Sequence, residues 1–182
     1  MRKTLVVLGC TMLGAVAALA LTVIWDEAID GDLSDSGLAP TPVGMVDSQN
    51  VIMGIVGGPS ALGRETGPEA ERTEAFDDGY DCYTFTVPAG FTMDQVVLVD
   101  YVPTTGNTSS GWNLYSGPDT SGTFLESPLL TVAAIGTNIL SAPLAAGIYT
   151  VEIREFGTED NVYELDHQIP GLPVELQSLI VE

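Results

Sequence analysis

The sequence predicts an all-β protein, an antiparallel β-sandwich of jelly-roll or immunoglobulin-like type with about 8 to 10 strands. Three observations lead there. Apolar and polar side chains alternate with a period of two through Tyr80–Gly90 and again through Leu144–Ile153, as they do in strands with one face on a core. Glycine and proline, 20 and 11 of the 182 residues, interrupt the chain at nearly every ten residues, which suits short strands joined by turns. Beyond the N-terminal segment, no long stretch carries the 3.6-residue period of an amphipathic helix.

The chain opens on Met1-Arg-Lys3, runs uncharged and apolar from Thr4 to Trp25, and turns acidic at Asp26 and Glu27. This layout predicts a secretory signal peptide over residues 1–20, cut after Ala18-Leu-Ala20. The alternative is an N-terminal membrane anchor reaching to about residue 25, since roughly twenty apolar residues can span a bilayer. Either way the protein is expected to be secreted, periplasmic or on the cell surface. Cys10 follows too short an apolar run for lipidation, and its loss with the signal would leave Cys82 alone, expected as a sheltered thiol.

Residues 21–170 are expected to form one sandwich domain, a length that can bury a single sizeable core. Its strands are predicted at Asn50–Val56, Cys82–Val87, Gln95–Val102, Gly111–Tyr115, Asn138–Leu140, Ile148–Phe156 and Val162–Ile169, with short ones near Phe124 and Leu130. Gln95–Val102 is apolar on both faces, Val97, Val99 and Tyr101 on one and Val96 and Leu98 on the other, which marks a central strand. The predicted inward set is Tyr83, Phe85, Val87, Val97, Val99, Tyr149, Val151 and Ile153. Gly57–Asp81 reads as an acidic, Gly/Pro-rich insertion with a short helix over Pro68–Phe76, led by its proline. Residues 171–182 read as a linker and a C-terminal edge strand, Val174–Val181.

The formal net charge is −20, and beyond the leader 25 carboxylates face Arg64, Arg72 and Arg154. Nucleic acid and anionic membrane surfaces are excluded as partners, because both need basic surface to neutralise phosphate. The expected partners are an extracellular polymer, glycan or protein, or a second copy of the chain pairing through its edge strand.

The ordered set Gly31-Asp-Leu-Ser34, Pro40-Thr-Pro42, Asp81–Gly90, Trp112-Asn-Leu-Tyr115, Ala146–Val151 and Tyr163-Glu-Leu165 resembles the bacterial pre-peptidase C-terminal domain family. These are small β-sandwiches appended to secreted proteases and found in many surface proteins. The resemblance spans about Asp26 to Ile169. It implies a non-catalytic accessory module, in some members held by Ca²⁺, that aids substrate or surface binding. Members often carry aspartates just before the Leu-Tyr strand, where this chain has Ser109-Ser-Gly-Trp112-Asn113, so Asn113 alone offers an oxygen there.

The residues themselves argue against an enzyme. A Ser or Cys nucleophile usually needs a base, and the single histidine, His167, shares its strand face with Tyr163, Leu165 and Ile169, the setting of a packed core residue. A secreted hydrolase working through paired carboxylates is the catalytic alternative. No cofactor is required by the sequence; Ca²⁺ is the candidate ion, since hard cations take several oxygens. Its predicted ligands are Asp77, Asp78 and Asp81. A second cluster, Asp30, Asp32, Ser34 and Asp35, departs from an EF-hand at its sixth and twelfth positions, Asp35 and Thr41. Trp112, Tyr101 and Tyr115 could form a sugar-binding platform, but aromatics in strands are usually core. The expected function is therefore a non-catalytic binding or display module, with a self-associating surface subunit as alternative.

Overall fold

The computed structural model describes residues 22–45, 48–57, 79–103, 109–156 and 160–171. Among the described residues ten strands form two sheets face to face, joined by loops that include one helical turn and one 3-10 turn. The first sheet has the order β1 (Thr22–Asp26), β3 (Gln49–Val56), β10 (Asn161–Gln168), β5 (Gln95–Pro103). The second has β2 (Thr41–Pro42), β4 (Tyr80–Val87), β9 (Gly147–Glu155), β6 (Ser110–Ser116) and β7 (Thr123–Glu126), with β8 (Leu129–Leu130) also on β6. The helical turn α1 (Glu27–Asp30) follows β1 directly. No helix among the described residues is long and apolar enough to cross a membrane.

The all-β sandwich expected from the alternation is the observed fold. Its interior is antiparallel, but β1 on β3 and β2 on β4 are parallel edge pairs, so both sheets are mixed. Neither edge strand has a sequence signal: β2 is two residues long, and β1 lies where the apolar leader hides any alternation. Asn138–Leu140, expected as a strand, makes a single bridge to Val97. The Asn138 side chain is the cause, its Oδ1 accepting from Val96 N and Leu140 N and replacing the backbone groups a ladder would use. The predicted helix Pro68–Phe76 and strand Val174–Val181 lie outside the described residues.

The core fills the space between the sheets. Tyr83, Phe85 and Val87 of β4 and Tyr149, Val151 and Ile153 of β9 point into it as predicted, with Trp112 and Leu114 of β6 beside them. Val97 and Val99 do not; the buried residues of β5 are Val96, Leu98 and Tyr101. A bulge explains the exchange: Leu98 pairs with Leu165 and Asp100 with Glu164, leaving Val99 as an extra residue. Inward parity changes across it, so residues three apart share one face. Leu98→Ala is expected to cost about 2 to 5 kcal/mol and Val97→Ala under about 1 kcal/mol. Chemical denaturation of both variants checks this, and the reverse order would put the bulge elsewhere.

Candidate functional site

Three carboxylates from separate parts of the chain converge at the edge of the sandwich. Glu27, Asp32 and Asp81 each place one oxygen within 4.8 Å of the others. Glu27 opens α1, whose N-terminus is capped by Asp26 accepting from Ala28 N at 3.0 Å. Glu27 points inward and is 3 % exposed. Its Oε2 accepts from Ile55 N on β3 at 2.6 Å and its Oε1 from Leu33 N at 3.3 Å. Asp81 sits on the inner face of β4 and is fully buried, whereas Asp32 is exposed on the loop after α1.

Electrostatics match this crowding. Burial pushes the Glu27 carboxyl up to about 7, and the charges of Asp32 and Asp26 push the same way, against the Ile55 and Leu33 amides. The buried Tyr163 hydroxyl is raised well above its usual range by burial first, then by Asp81 and Glu27. Tyr163 reaches this place across Gly54 on the neighbouring strand, where any Cβ would collide with its hydroxyl. An all-oxygen set of hard donors suits Ca²⁺ or Mg²⁺ and not a soft metal. Glu27, Asp32 and Asp81 are the residues that would hold such an ion, and its charge would offset theirs.

The predicted ligands are thus brought together in part. Asp81 joins the cluster, while Asp77 and Asp78 lie outside the described residues. Of the second predicted set, Asp32 joins it; Asp30 instead accepts from Asp26 N at 2.9 Å and closes the α1 turn. Glu27 was missed because nothing in Asp26-Glu27 marks one carboxylate as buried. The signal available was the paired cap, with Asp26 ahead of a turn too short to bury anything else.

His167 is a core residue. It is fully buried, 3.0 Å from Tyr83 Oη through Nε2, and edge-on to Tyr83 and Phe85. Burial lowers its pKa to about 4, so it folds neutral. An unfolded histidine binds its proton near pH 6.5, so this contribution is complete above about 6.5 and is lost as pH falls through 4. The loss should reach roughly 3 kcal/mol. Urea titrations between pH 4 and 7 should show it as a difference between the protein and His167→Phe; parallel curves would mean the ring is protonated in the fold.

The aromatic residues divide. Trp112 and Tyr101 are buried in the core, as strand aromatics usually are, whereas Tyr115 lies on the outer face of the second sheet, edge-on to the exposed Phe124 at 5.6 Å. At the other end of that face the Arg154 guanidinium lies 5.4 Å from the Tyr80 ring centre and 5.8 Å from that of Phe156. Phe156 reaches over Gly111, where a Cβ would meet its ring at 2.7 Å. Glu152, on the same face, is engaged by Asn113 Nδ2 at 2.9 Å. Cys82 is buried on β4 and in no disulfide. A surface cavity of about 360 Å³ between β7 and residues 141–145 is lined by Leu125, Leu144 and Tyr149, with Glu126 at its rim accepting from Ser141 N.

No protein-family model matches the chain, and no curated protein does. Among solved structures it is similar to the pre-peptidase C-terminal domain of a collagenase from Bacillus anthracis. That similarity has 18% identity and a TM-score of 0.41, covering 71% of this chain and 92% of that one. This is the kind of domain that the ordered sequence motifs resemble.

Proposed function

We propose that the protein is a non-catalytic binding module, held by a divalent cation and presented outside the cytoplasm, that uses the outer face of its second sheet to grip an extracellular polymer. The observation that carries this reading is the pairing of Tyr115 with Phe124 and of Arg154 with Tyr80 and Phe156 on one face. Phe124 and Phe156 are both more than half exposed, at 53% and 54%. Aromatic rings laid on a rigid sheet offer apolar area at little entropic cost, and Tyr and Arg are the residues that dominate binding energy at interfaces. The burial of His167 removes the one imidazole from any solvent-facing chemistry.

The acidic surface supports a neutral or basic polymer over an anionic one, because a charge of −20 repels polyanions. The N-terminal signal layout supports export. Co-sedimentation with insoluble polysaccharides and fibrous proteins tests the reading. Retention of the protein on at least one polymer should fall at least tenfold in Tyr115→Ala/Phe124→Ala, with the melting temperature little changed. Retention on none, or equal retention of the variant, would remove this face from the proposal, and turnover of a peptide, ester or glycan substrate would favour the hydrolase.

A further inference from the structure

A second polar cluster lies at a different place, inside the sandwich between the two sheets. Ser110 of β6 and Glu155 of β9 are directly paired in the second sheet, and Asn161 of β10 and Tyr101 of β5 meet them from the first. All four are buried, with none more than 2 % exposed. Ser110 Oγ donates to Glu155 Oε2 at 2.8 Å, and Asn161 Nδ2 donates to that same carboxylate oxygen and, at 3.1 Å, to Ser110 Oγ. Tyr101 Oη lies 2.9 Å from Ser110 Oγ. The other Glu155 oxygen accepts from Phe156 N at 2.8 Å, which fixes the carboxylate.

This is more than a set of satisfied polar groups, because the roles are ordered. A hydroxyl is held on a carboxylate that can take its proton, and the same carboxylate oxygen touches the nitrogen of a side-chain amide. Amide alcoholysis needs that bridge: one base removes the proton from the nucleophile and delivers it to the leaving group. We propose that Ser110 and Asn161 form a side-chain ester that joins the two sheets covalently, with Glu155 as the proton carrier.

In the step, Ser110 Oγ gives its proton to Glu155 Oε2 and bonds to Asn161 Cγ, one bond beyond the nitrogen it already meets. Turning the amide about its Cβ–Cγ bond presents the face of Cγ to Oγ. Glu155 passes the proton to Nδ2, the Cγ–Nδ2 bond breaks, and ammonia leaves. Atoms balance with no other reactant. Because the Ser110 proton lies on Glu155, the Tyr101 hydroxyl donates to Ser110 Oγ and holds that oxygen in place between the two sheets. Amide-to-ester exchange is unfavourable in dilute solution. Here two fixed partners raise the effective concentration and escape of ammonia draws the step forward, while burial keeps competing water away.

The test is the intact mass of the denatured full chain, with tandem spectra of its peptides. The folded protein should be lighter than its sequence by one ammonia, and a peptide containing Ser110 should be found joined to one containing Asn161. Hydroxylamine applied to the unfolded chain should open the link. Ser110→Ala and Glu155→Gln should both keep the full mass. An unchanged wild-type mass after prolonged incubation of the folded protein would overturn the ester. So would an equal ammonia loss in Ser110→Ala, which would mark a succinimide formed at Asn161 by its own backbone.

Discussion

Phe85→Ala should destabilise the protein by about 3 to 5 kcal/mol, the range for removing a fully packed ring. Phe85 is 2 % exposed, stacked on Tyr149 with ring centres 5.7 Å apart, and within 5.4 Å of the His167 ring and 6.3 Å of Tyr83. Its neighbours come from both sheets, so they cannot close together over the cavity without drawing the sheets toward each other. Truncation therefore costs both the transfer of the ring and the void it leaves. The variant should also free the His167 ring on one side, so its acid limb should move toward that of an exposed histidine. Equilibrium unfolding in urea at neutral pH measures the first effect, and a loss below about 1 kcal/mol would mean that this site collapses freely.

What the sequence made legible follows from where the physics is local. In β4 and β9 the period-two pattern alone placed six inward residues, because both strands pair without interruption over eight rungs. In β5 the same reasoning chose the wrong face. The strand is apolar on both sides, so alternation carried no preference, and the inversion at Val99 depends on pairing with β10, about 65 residues away in sequence, which no local pattern encodes. The parallel edge strands were hidden for a related reason: β2 is too short for any period, and β1 continues an apolar run that reads as a leader.

The acidic site shows the same limit in a sharper form. Asp81 and Asp32 were each singled out, but in different clusters, because sequence neighbours were taken as spatial neighbours. The fold instead takes one carboxylate from each predicted cluster, Asp81 on β4 and Asp32 on the loop after α1, and adds Glu27, whose Oε2 accepts from the Ile55 amide of β3. The His167 reading succeeded because face-sharing along one strand is a local property. The aromatic surface depends on pairing between strands: Phe124 lies on β7, too short for a period, and Phe156, just past the end of β9, gains its place only by lying over Gly111 of β6.

Calcium at millimolar concentration should raise the melting temperature more than NaCl of equal ionic strength, and Asp81→Asn should remove the difference. Three carboxylates within 4.8 Å repel one another, and a fully buried Asp81 cannot be screened by mobile salt as a surface charge is. Without metal, the fold holds Glu27 protonated up to about pH 7. A carboxyl raised from 4.5 to about 7 stabilises the fold below 4.5, and that contribution, roughly 3 kcal/mol, is lost as pH rises through 7. A cation reverses the trend, because it binds the ionised form and must displace a proton to bind below pH 7. The calcium-dependent gain should therefore be larger at pH 8 than at pH 5, reaching about 4 kcal/mol when free ion exceeds its dissociation constant a thousandfold. Glu27→Gln should flatten the pH dependence of that gain while Asp81→Asn abolishes the gain itself. Equal shifts with calcium and NaCl at pH 8, or an undiminished shift in Asp81→Asn, would show that the cluster is a solvated acidic edge and not a metal site.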